Sequence, residues 1–180
     1  MNAKMTEQFT LRANSPAQWR GSAQSLKDCA ELVFGAHLAA LQAVMGGDIG
    51  QHVFSHLRTG GVFFLLAGLA VENLVKALVI HRGGATVATR LPRALKTHGI
   101  RALLERLEIS LSPEEDKLVS RLETAIAWAG RYPVPLDAGQ LRGAGIITRV
   151  TDAQEFSAFY GRLDALLDPT TPSDDVEADR

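Results

Sequence analysis

The stretch that most constrains the fold runs from Val62 to Ile80 and has the sequence VFFLLAGLAVENLVKALVI. Its uninterrupted apolar run ends at Val71, well short of the ~20 residues that a membrane span requires. The second half carries Glu72, Asn73 and Lys76, whose i,i+3 and i,i+4 spacings gather the three side chains on one side of a helix. The stretch therefore predicts a buried core helix with one polar patch.

Length and composition indicate one domain. The chain has 180 residues, 46 % of them hydrophobic, which is enough for one ordinary core. The net charge of −1 gives no global basic field for nucleic acid or an anionic membrane. A single cysteine, Cys29, excludes an internal disulfide and is predicted to be a small buried thiol. The first residues lack the apolar core of a secretion signal, so we predict a cytoplasmic protein with no membrane association.

Capping motifs mark the starts of three helices. They are SPAQ at Ser15, SPEE at Ser112 and TDAQ at Thr151, each with a Gln or Glu three residues after the cap. The first of these helices runs to Met45, and another short helix starts at about Thr97. No segment shows sustained alternation with period two. The sequence therefore predicts an all-α fold, an up-and-down bundle of four to five helices.

Three ranges follow from this organisation. Residues 1–14 are predicted to be a flexible N-terminus, and residues 15–167 a single helical domain. The remaining segment, residues 168–180, has two prolines, several acids and almost nothing to bury. We predict that this segment is a disordered acidic tail.

Histidines offer one candidate metal site. Asp48, His52 and His56 follow one another at intervals of four residues, a workable spacing for metal ligands on a helix. Neighbouring glycines disfavour a helix there, and no acid separates the histidines as a metalloprotease would need. We predict no metal and no cofactor. His37, on an apolar helix face, is predicted to be a hydrogen-bonded core histidine.

The polar patch has two interpretations. In the first, Lys76 pairs with Glu72 and Asn73 bridges neighbouring helices as an internal network. In the second, the three residues form a binding site that lines a cleft or a dimer seam. The network is favoured, because such groups left unpaired inside a bundle cost several kcal/mol.

The segment GRYPVP ends the fourth predicted helix. Gly130 permits a left-handed cap, and the prolines fix an extended chain beyond it. Arg131 and Tyr132 are therefore candidate binding residues held at a helix end. Arg131 either neutralises the terminal carbonyls of its own helix or presents its guanidinium to a phosphate.

Several of these segments together resemble the bacterial HEPN superfamily. The resemblance spans residues 62–135 and rests on LAGLAVENLVKALVI, LKTHGIRALLERL, SPEEDKLVSRLETAIAWAG and RYPVP. It implies a HEPN-like bundle of four or five helices that is usually a homodimer. Many members are metal-independent ribonucleases of toxin-antitoxin and phage-defence systems, and others bind nucleotides or proteins. We therefore expect binding of RNA, a nucleotide or a protein partner, such as an antitoxin or a nucleotidyltransferase.

The catalytic motif of the family is matched only in an unusual place. Active members share an arginine followed, after four to six residues, by a histidine. Arg131 has no histidine at that distance, and the match is RALKTH, from Arg93 to His98, before the third predicted helix. The alternative function is thus a metal-independent ribonuclease toxin, with Arg93 and His98 catalytic and Arg131 as a phosphate contact.

Overall fold

The computed structural model describes residues 3–47, 50, 59–131 and 148–168. These ranges contain seven α-helices and no strand: α1 Ala3–Ala13, α2 Pro16–Met45, α3 Thr59–His81, α4 Arg93–Lys96, α5 Ile100–Arg106, α6 Pro113–Thr124 and α7 Asp152–Ala165. A π-helical turn, Ala125–Ala129, continues α6. The all-α class is confirmed for the described ranges. The helix count exceeds the predicted four to five because α1 and the single-turn α4 are additional.

Helix α3 forms the centre of the protein. It contacts α2, α5, α6, the π-helical turn and α7. Its Phe63 and Phe64 are fully buried, and the Phe63 ring lies 4.8 Å from Phe34 of α2 and 5.9 Å from Phe156 of α7, measured between centroids. The predicted core helix is therefore confirmed, since 78 % of the most apolar part of α3 is buried within the protein.

Helix α2 is apolar but far less covered. Both α2 and α3 are long and apolar enough to cross a membrane by length and composition, yet only 22 % of the most apolar part of α2 is buried. Leu32 and Met45 are 76 % and 88 % exposed. Cys29 is also exposed, so the predicted buried thiol is wrong. The outer face of α2, defined by Cys29 and Leu32, therefore stands in solvent within the described structure.

Only one of the three predicted capping boxes forms. The Ser112 hydroxyl accepts from the Glu115 amide at 3.2 Å, and the Glu115 carboxylate accepts from the Ser112 amide at 2.9 Å. Ser15 precedes α2 as predicted but makes no capping hydrogen bond with its side chain. The Thr151 hydroxyl donates to the Glu155 carboxylate instead of capping α7. The chain positions of the starts were correct even where the capping bonds were not.

The N-terminal segment is helical, where the sequence predicted a flexible one. Helix α1 is held to the loop after α3 by side chains on one of its faces. The Thr10 hydroxyl donates to the Ala88 carbonyl at 2.6 Å. The Asn14 amide donates to the Val87 carbonyl at 2.6 Å and accepts from the Val87 N–H at 2.7 Å. These bonds to a distant segment order a helix that its own sequence would not stabilise.

Gly130 ends the helical run of α6, as predicted, but not by a left-handed cap. Its φ angle is −86°. A Cβ atom at this position would lie 2.5 Å from the Cβ of Leu65 on α3. The glycine is therefore explained by the close approach of the two helices, since no side chain fits between them.

A buried carboxylate joins α6 to α7. Asp152 is fully buried and accepts two hydrogen bonds from the Arg121 guanidinium, at 2.6 and 2.8 Å. The Arg149 amide donates to the same carboxylate at 2.6 Å, and the Arg149 guanidinium adds two further bonds. The Arg121 guanidinium also lies 4.2 Å from the centroid of the Phe64 ring. One carboxylate thus ties α6, α7 and the core face of α3 together.

Removing the Asp152 charge should lower the stability of the fold and make that stability less dependent on pH in acid. Burial opposes ionisation of Asp152, but the hydrogen bonds from Arg121 and Arg149 outweigh it and lower the pKa of the carboxyl. A lowered pKa stabilises the fold above the ordinary aspartate value, and this contribution is lost as pH falls through the folded-state pKa. We expect Asp152→Asn to lower the free energy of unfolding at pH 7 by about 3 kcal/mol, measured by denaturant titration.

The matched control is Asp116→Asn, which removes an arginine pair at a half-exposed site, with Arg101. It should cost about 1 kcal/mol or less. Between pH 7 and 2 the wild-type protein should lose more stability than the Asp152→Asn variant. Equal losses in the two proteins would contradict the assigned role of Asp152.

Candidate functional site

The polar patch of α3 is a buried ion pair. Glu72 and Lys76 are 3 % and 5 % exposed, and the Lys76 ammonium donates to Glu72 Oε1 at 2.5 Å. The pair proposed from the i,i+4 spacing therefore forms. Asn73 does not bridge helices: its amide donates to the Leu69 carbonyl of the same helix at 2.7 Å. The sequence-based network was correct for two of its three members.

His98 completes the centre from a distant part of the chain. Its Nδ1 lies 2.9 Å from Oε2 of Glu72, so both oxygens of the carboxylate have partners. The His98 side chain is 66 % exposed, whereas that of Glu72 is 5 % exposed. The imidazole therefore stands at the surface with a buried carboxylate behind it. We call Glu72, Lys76 and His98 the charged centre.

Anchors on either side fix the position of His98. Leu95 of α4 and Ile100 of α5 are both buried in the core. The Thr97 hydroxyl accepts from the Gly99 amide at 3.0 Å across the intervening turn. With both ends of the turn held, the short connection has little freedom to carry His98 away from Glu72.

The geometry also selects the tautomer of His98. An ionised carboxylate only accepts hydrogen bonds, so the ring nitrogen facing Glu72 must be the donor. In the neutral imidazole this leaves the lone pair on Nε2, the other ring nitrogen. An imidazole oriented by a carboxylate in this way is the arrangement used to transfer protons at enzyme active sites.

The other predicted site residues do not join the charged centre. Arg93, the first residue of α4, is exposed and makes no ion pair or hydrogen bond with the rest of the described chain. The Arg131 guanidinium donates to the Ala127 carbonyl at 2.9 Å, which favours its role at the end of its own helix. Tyr132 lies outside the described residues.

The residues of the candidate metal site, Asp48, His52 and His56, also lie outside the described residues. Within the described ranges, no group of three or more His, Cys, Asp or Glu side chains is arranged to hold a metal ion. His37 is 5 % exposed and its ring centroid lies 6.4 Å from that of Phe34, as expected for a core histidine.

Sequence reasoning missed the contact between His98 and Glu72 and the buried Asp152. It paired His98 with Arg93, and it considered Thr151 as the capping residue of α7 without considering Asp152. Two features of the sequence were signals for the ion pairs of Asp152. They are the i,i+3 spacing of Arg149 and Asp152 and the presence of an aspartate in the first turn of a helix.

Comparison with protein-family models, characterised proteins and solved structures finds no match to this chain.

Breaking the charged centre should destabilise the protein strongly. Glu72→Ala leaves the Lys76 ammonium buried without its carboxylate, so we expect the free energy of unfolding to fall by about 3 to 5 kcal/mol. Replacing both partners, Glu72→Leu with Lys76→Met, should recover most of this loss, because no unpaired charge then remains. Denaturant unfolding of the three proteins measures both effects.

The pair Lys27–Glu31 on α2 is the matched control, with the same i,i+4 spacing and side chains that are 19 % and 38 % exposed. Glu31→Ala should cost about 1 kcal/mol or less. The assignment fails if Glu72→Ala is as mild as Glu31→Ala.

Proposed function

We propose that the protein binds single-stranded RNA through the connection between α3 and α5. The observation that carries this proposal is a local excess of charge. Residues 82–104, the basic segment, contain no Asp or Glu, and their Lys and Arg residues are Arg82, Arg90, Arg93, Lys96 and Arg101. The whole chain is nearly balanced, with 19 basic and 20 acidic residues, so this segment stands apart from it.

Part of the basic segment is available to a ligand. Arg82 donates to the Leu107 carbonyl at 2.8 Å, and Arg101 pairs with Asp116. Arg90, Arg93 and Lys96 are exposed and have no ion-pair or hydrogen-bond partner elsewhere in the described chain. Cations of this kind bind phosphates by releasing condensed counterions, which gives an affinity that falls with salt.

His98 lies within the basic segment and adds a group that recognises RNA. Its Nδ1 is engaged by Glu72, so the opposite edge of the ring faces solvent. An exposed imidazole can stack on an unpaired base, and its Nε2 can accept a hydrogen bond from a ribose 2′-hydroxyl. Three exposed cations and this ring on one short segment favour a single strand of nucleic acid over an uncharged ligand.

The resemblance to HEPN domains supports the same proposal from the sequence. It supplies the biological setting, a toxin-antitoxin or phage-defence system, and the HEPN-like topology of the bundle. An antitoxin or a nucleotidyltransferase would then be the protein partner. These statements rest on the resemblance, whereas RNA binding rests also on the charges of the basic segment.

Cleavage of the bound RNA is the second candidate, favoured by the contact between Glu72 and His98. Nε2 of His98 would take the proton of a ribose 2′-hydroxyl as its oxygen attacks the adjacent phosphorus. A 2′,3′-cyclic phosphate forms, the bond from phosphorus to the 5′-oxygen of the next nucleotide breaks, and that oxygen takes a proton from water. Glu72 would hold the ring in the required tautomer. Arg93 would stabilise the charge that develops on the phosphate oxygens. This chemistry needs no metal.

Homodimerisation is the third part of the proposal, with the outer face of α2 as its seam. This face presents Leu32 to solvent, and the small residues Gly21 and Gly35 on the same side of α2 leave open space beside it. A second copy would cover the apolar surface that α2 exposes.

Neutralising Arg93 should weaken RNA binding in a salt-dependent way. We expect Arg93→Gln to reduce the slope of log affinity against log salt by about 0.7, the loss of one phosphate contact to a single strand. Fluorescence anisotropy with a labelled single-stranded RNA measures this slope.

His98→Gln should reduce any cleavage by about 100-fold or more, monitored on the same RNA by gel.

Lys117→Gln is the control for charge, since Lys117 is exposed on α6 outside the basic segment. His81→Gln is the control for histidine, since His81 is exposed at the end of α3. The binding proposal is refuted if Arg93→Gln leaves the RNA affinity and its salt dependence unchanged. It is also refuted if Lys117→Gln changes them as much as Arg93→Gln does. Binding without cleavage by the wild-type protein would remove only the catalytic candidate.

The α2 seam gives a separate prediction. Leu32→Glu should convert a dimer to a monomer at micromolar concentration, because it places two charges in an apolar interface. Multi-angle light scattering measures the mass. Oxidation should also link Cys29 of one protomer to the same residue of its partner if the outer faces meet. A monomeric wild-type protein would exclude this seam.

A further inference from the structure

A groove lies between α1, the start of α2 and α3, and it shares Leu91 with the basic segment. Its volume is about 570 Å³, and its lining includes Met5, Phe9, Arg12, Trp19, Asn73 and Leu91. Sites for small molecules typically have volumes of about 300 to 1,000 Å³ and mainly apolar walls with a few polar groups. The groove meets both conditions.

Helix α1 holds an apolar stripe over this groove without packing it into the core. Met5 and Phe9 are separated by one helical turn and are 66 % and 39 % exposed. The hydrogen bonds of Thr10 and Asn14 to the loop after α3 anchor the helix independently of these side chains. The fold therefore leaves the apolar stripe exposed to water. A ligand that covered the stripe would remove this apolar surface from solvent.

Trp19 gives the groove a fixed aromatic wall. Its indole N–H donates to the Ala13 carbonyl at 2.9 Å, which orients the ring. The Lys76 ammonium lies 5.9 Å from the ring centroid. A rigid indole of this kind favours a flat aromatic ligand, because two π systems pack well when offset or edge to face.

The charge of the lining selects the sign of the ligand. Arg12 is the one charged side chain among the described residues that line the groove, and it is exposed without an ion pair there. A guanidinium next to an apolar wall pairs well with a carboxylate or sulfonate, since it supplies two parallel donors. No acid of the described lining would repel such an anion.

We propose that this groove binds an amphiphilic organic monoanion with a flat aromatic body. The aromatic part lies against Phe9 and Trp19, and the anionic group pairs with Arg12. Arg90, Arg93 and Lys96, the cations proposed to bind RNA, are not among the described residues that line this groove, so either activity can fail without the other.

The probe for this proposal is 8-anilinonaphthalene-1-sulfonate, an aromatic monoanion, compared with the uncharged N-phenyl-1-naphthylamine. We expect saturable binding of one sulfonate per chain to the natively folded protein, measured by fluorescence titration. Arg12→Gln should weaken sulfonate binding by roughly tenfold, the loss of one charge-assisted hydrogen bond, and leave the neutral compound unchanged. Phe9→Gln should weaken both compounds.

Lys117→Gln is the matched control and should change neither titration. Thermal unfolding of each variant establishes that the fold is intact, which is expected because Phe9 and Arg12 are not buried. The proposal is overturned if the folded protein shows no saturable binding. It is also overturned if Arg12→Gln binds the sulfonate as tightly as wild type, or if binding appears only in unfolded protein.

Discussion

The burial of Glu72 within the central helix is the constraint on which the rest of the structure depends. Helix α3 packs against most of the other helices, so a carboxylate in its buried part is taken out of water on all sides. An ionised group in that position costs several kcal/mol unless it is paired. Lys76 satisfies one oxygen, and His98 the other. The connection between α3 and α5 must therefore return to α3 and present His98 to the carboxylate.

The same requirement is met a second time at Asp152, with partners from different elements. Arg121 reaches the carboxylate from α6, while Arg149 reaches it from the residues just before α7. Removing one partner of either centre leaves a buried charge, so each centre penalises packings that separate its members. We infer that the two carboxylates specify which elements meet, whereas the apolar contacts of α3 supply most of the stabilising area.

What the sequence predicts depends on how far apart the interacting groups lie along the chain. The pair of Glu72 and Lys76 and the capping box at Ser112 were both predicted, since each involves residues within one helical turn. The contact of Glu72 with His98 spans 26 residues, and that of Asn14 with Val87 spans 73. Neither follows from periodicity or capping rules, because each depends on the path of a connection. The order of α1 was missed for this reason.

The exposed position of Cys29 illustrates a second limit. An apolar helix pattern indicates burial only if something covers the helix, and the described part of the chain does not cover the outer face of α2. Composition alone does not distinguish such a face from the core face. The all-α class and the helix starts after Ser15, Ser112 and Thr151 were therefore predictable, whereas the partners of individual side chains required the fold.

The two ring nitrogens of His98 have different surroundings, so one can contact Glu72 while the other is left for the ligand that we propose. Nδ1 faces the buried Glu72, and the rest of the ring faces solvent. A ligand that engages Nε2 does not need to displace the carboxylate, so it does not expose Lys76 to an unpaired state. Loss of His98 likewise leaves the pair of Glu72 and Lys76 in place, whereas loss of Glu72 removes the acceptor of both neighbours. The stabilising role thus belongs chiefly to the buried residues of the charged centre, and its exposed member is left to make the ligand contact that we propose.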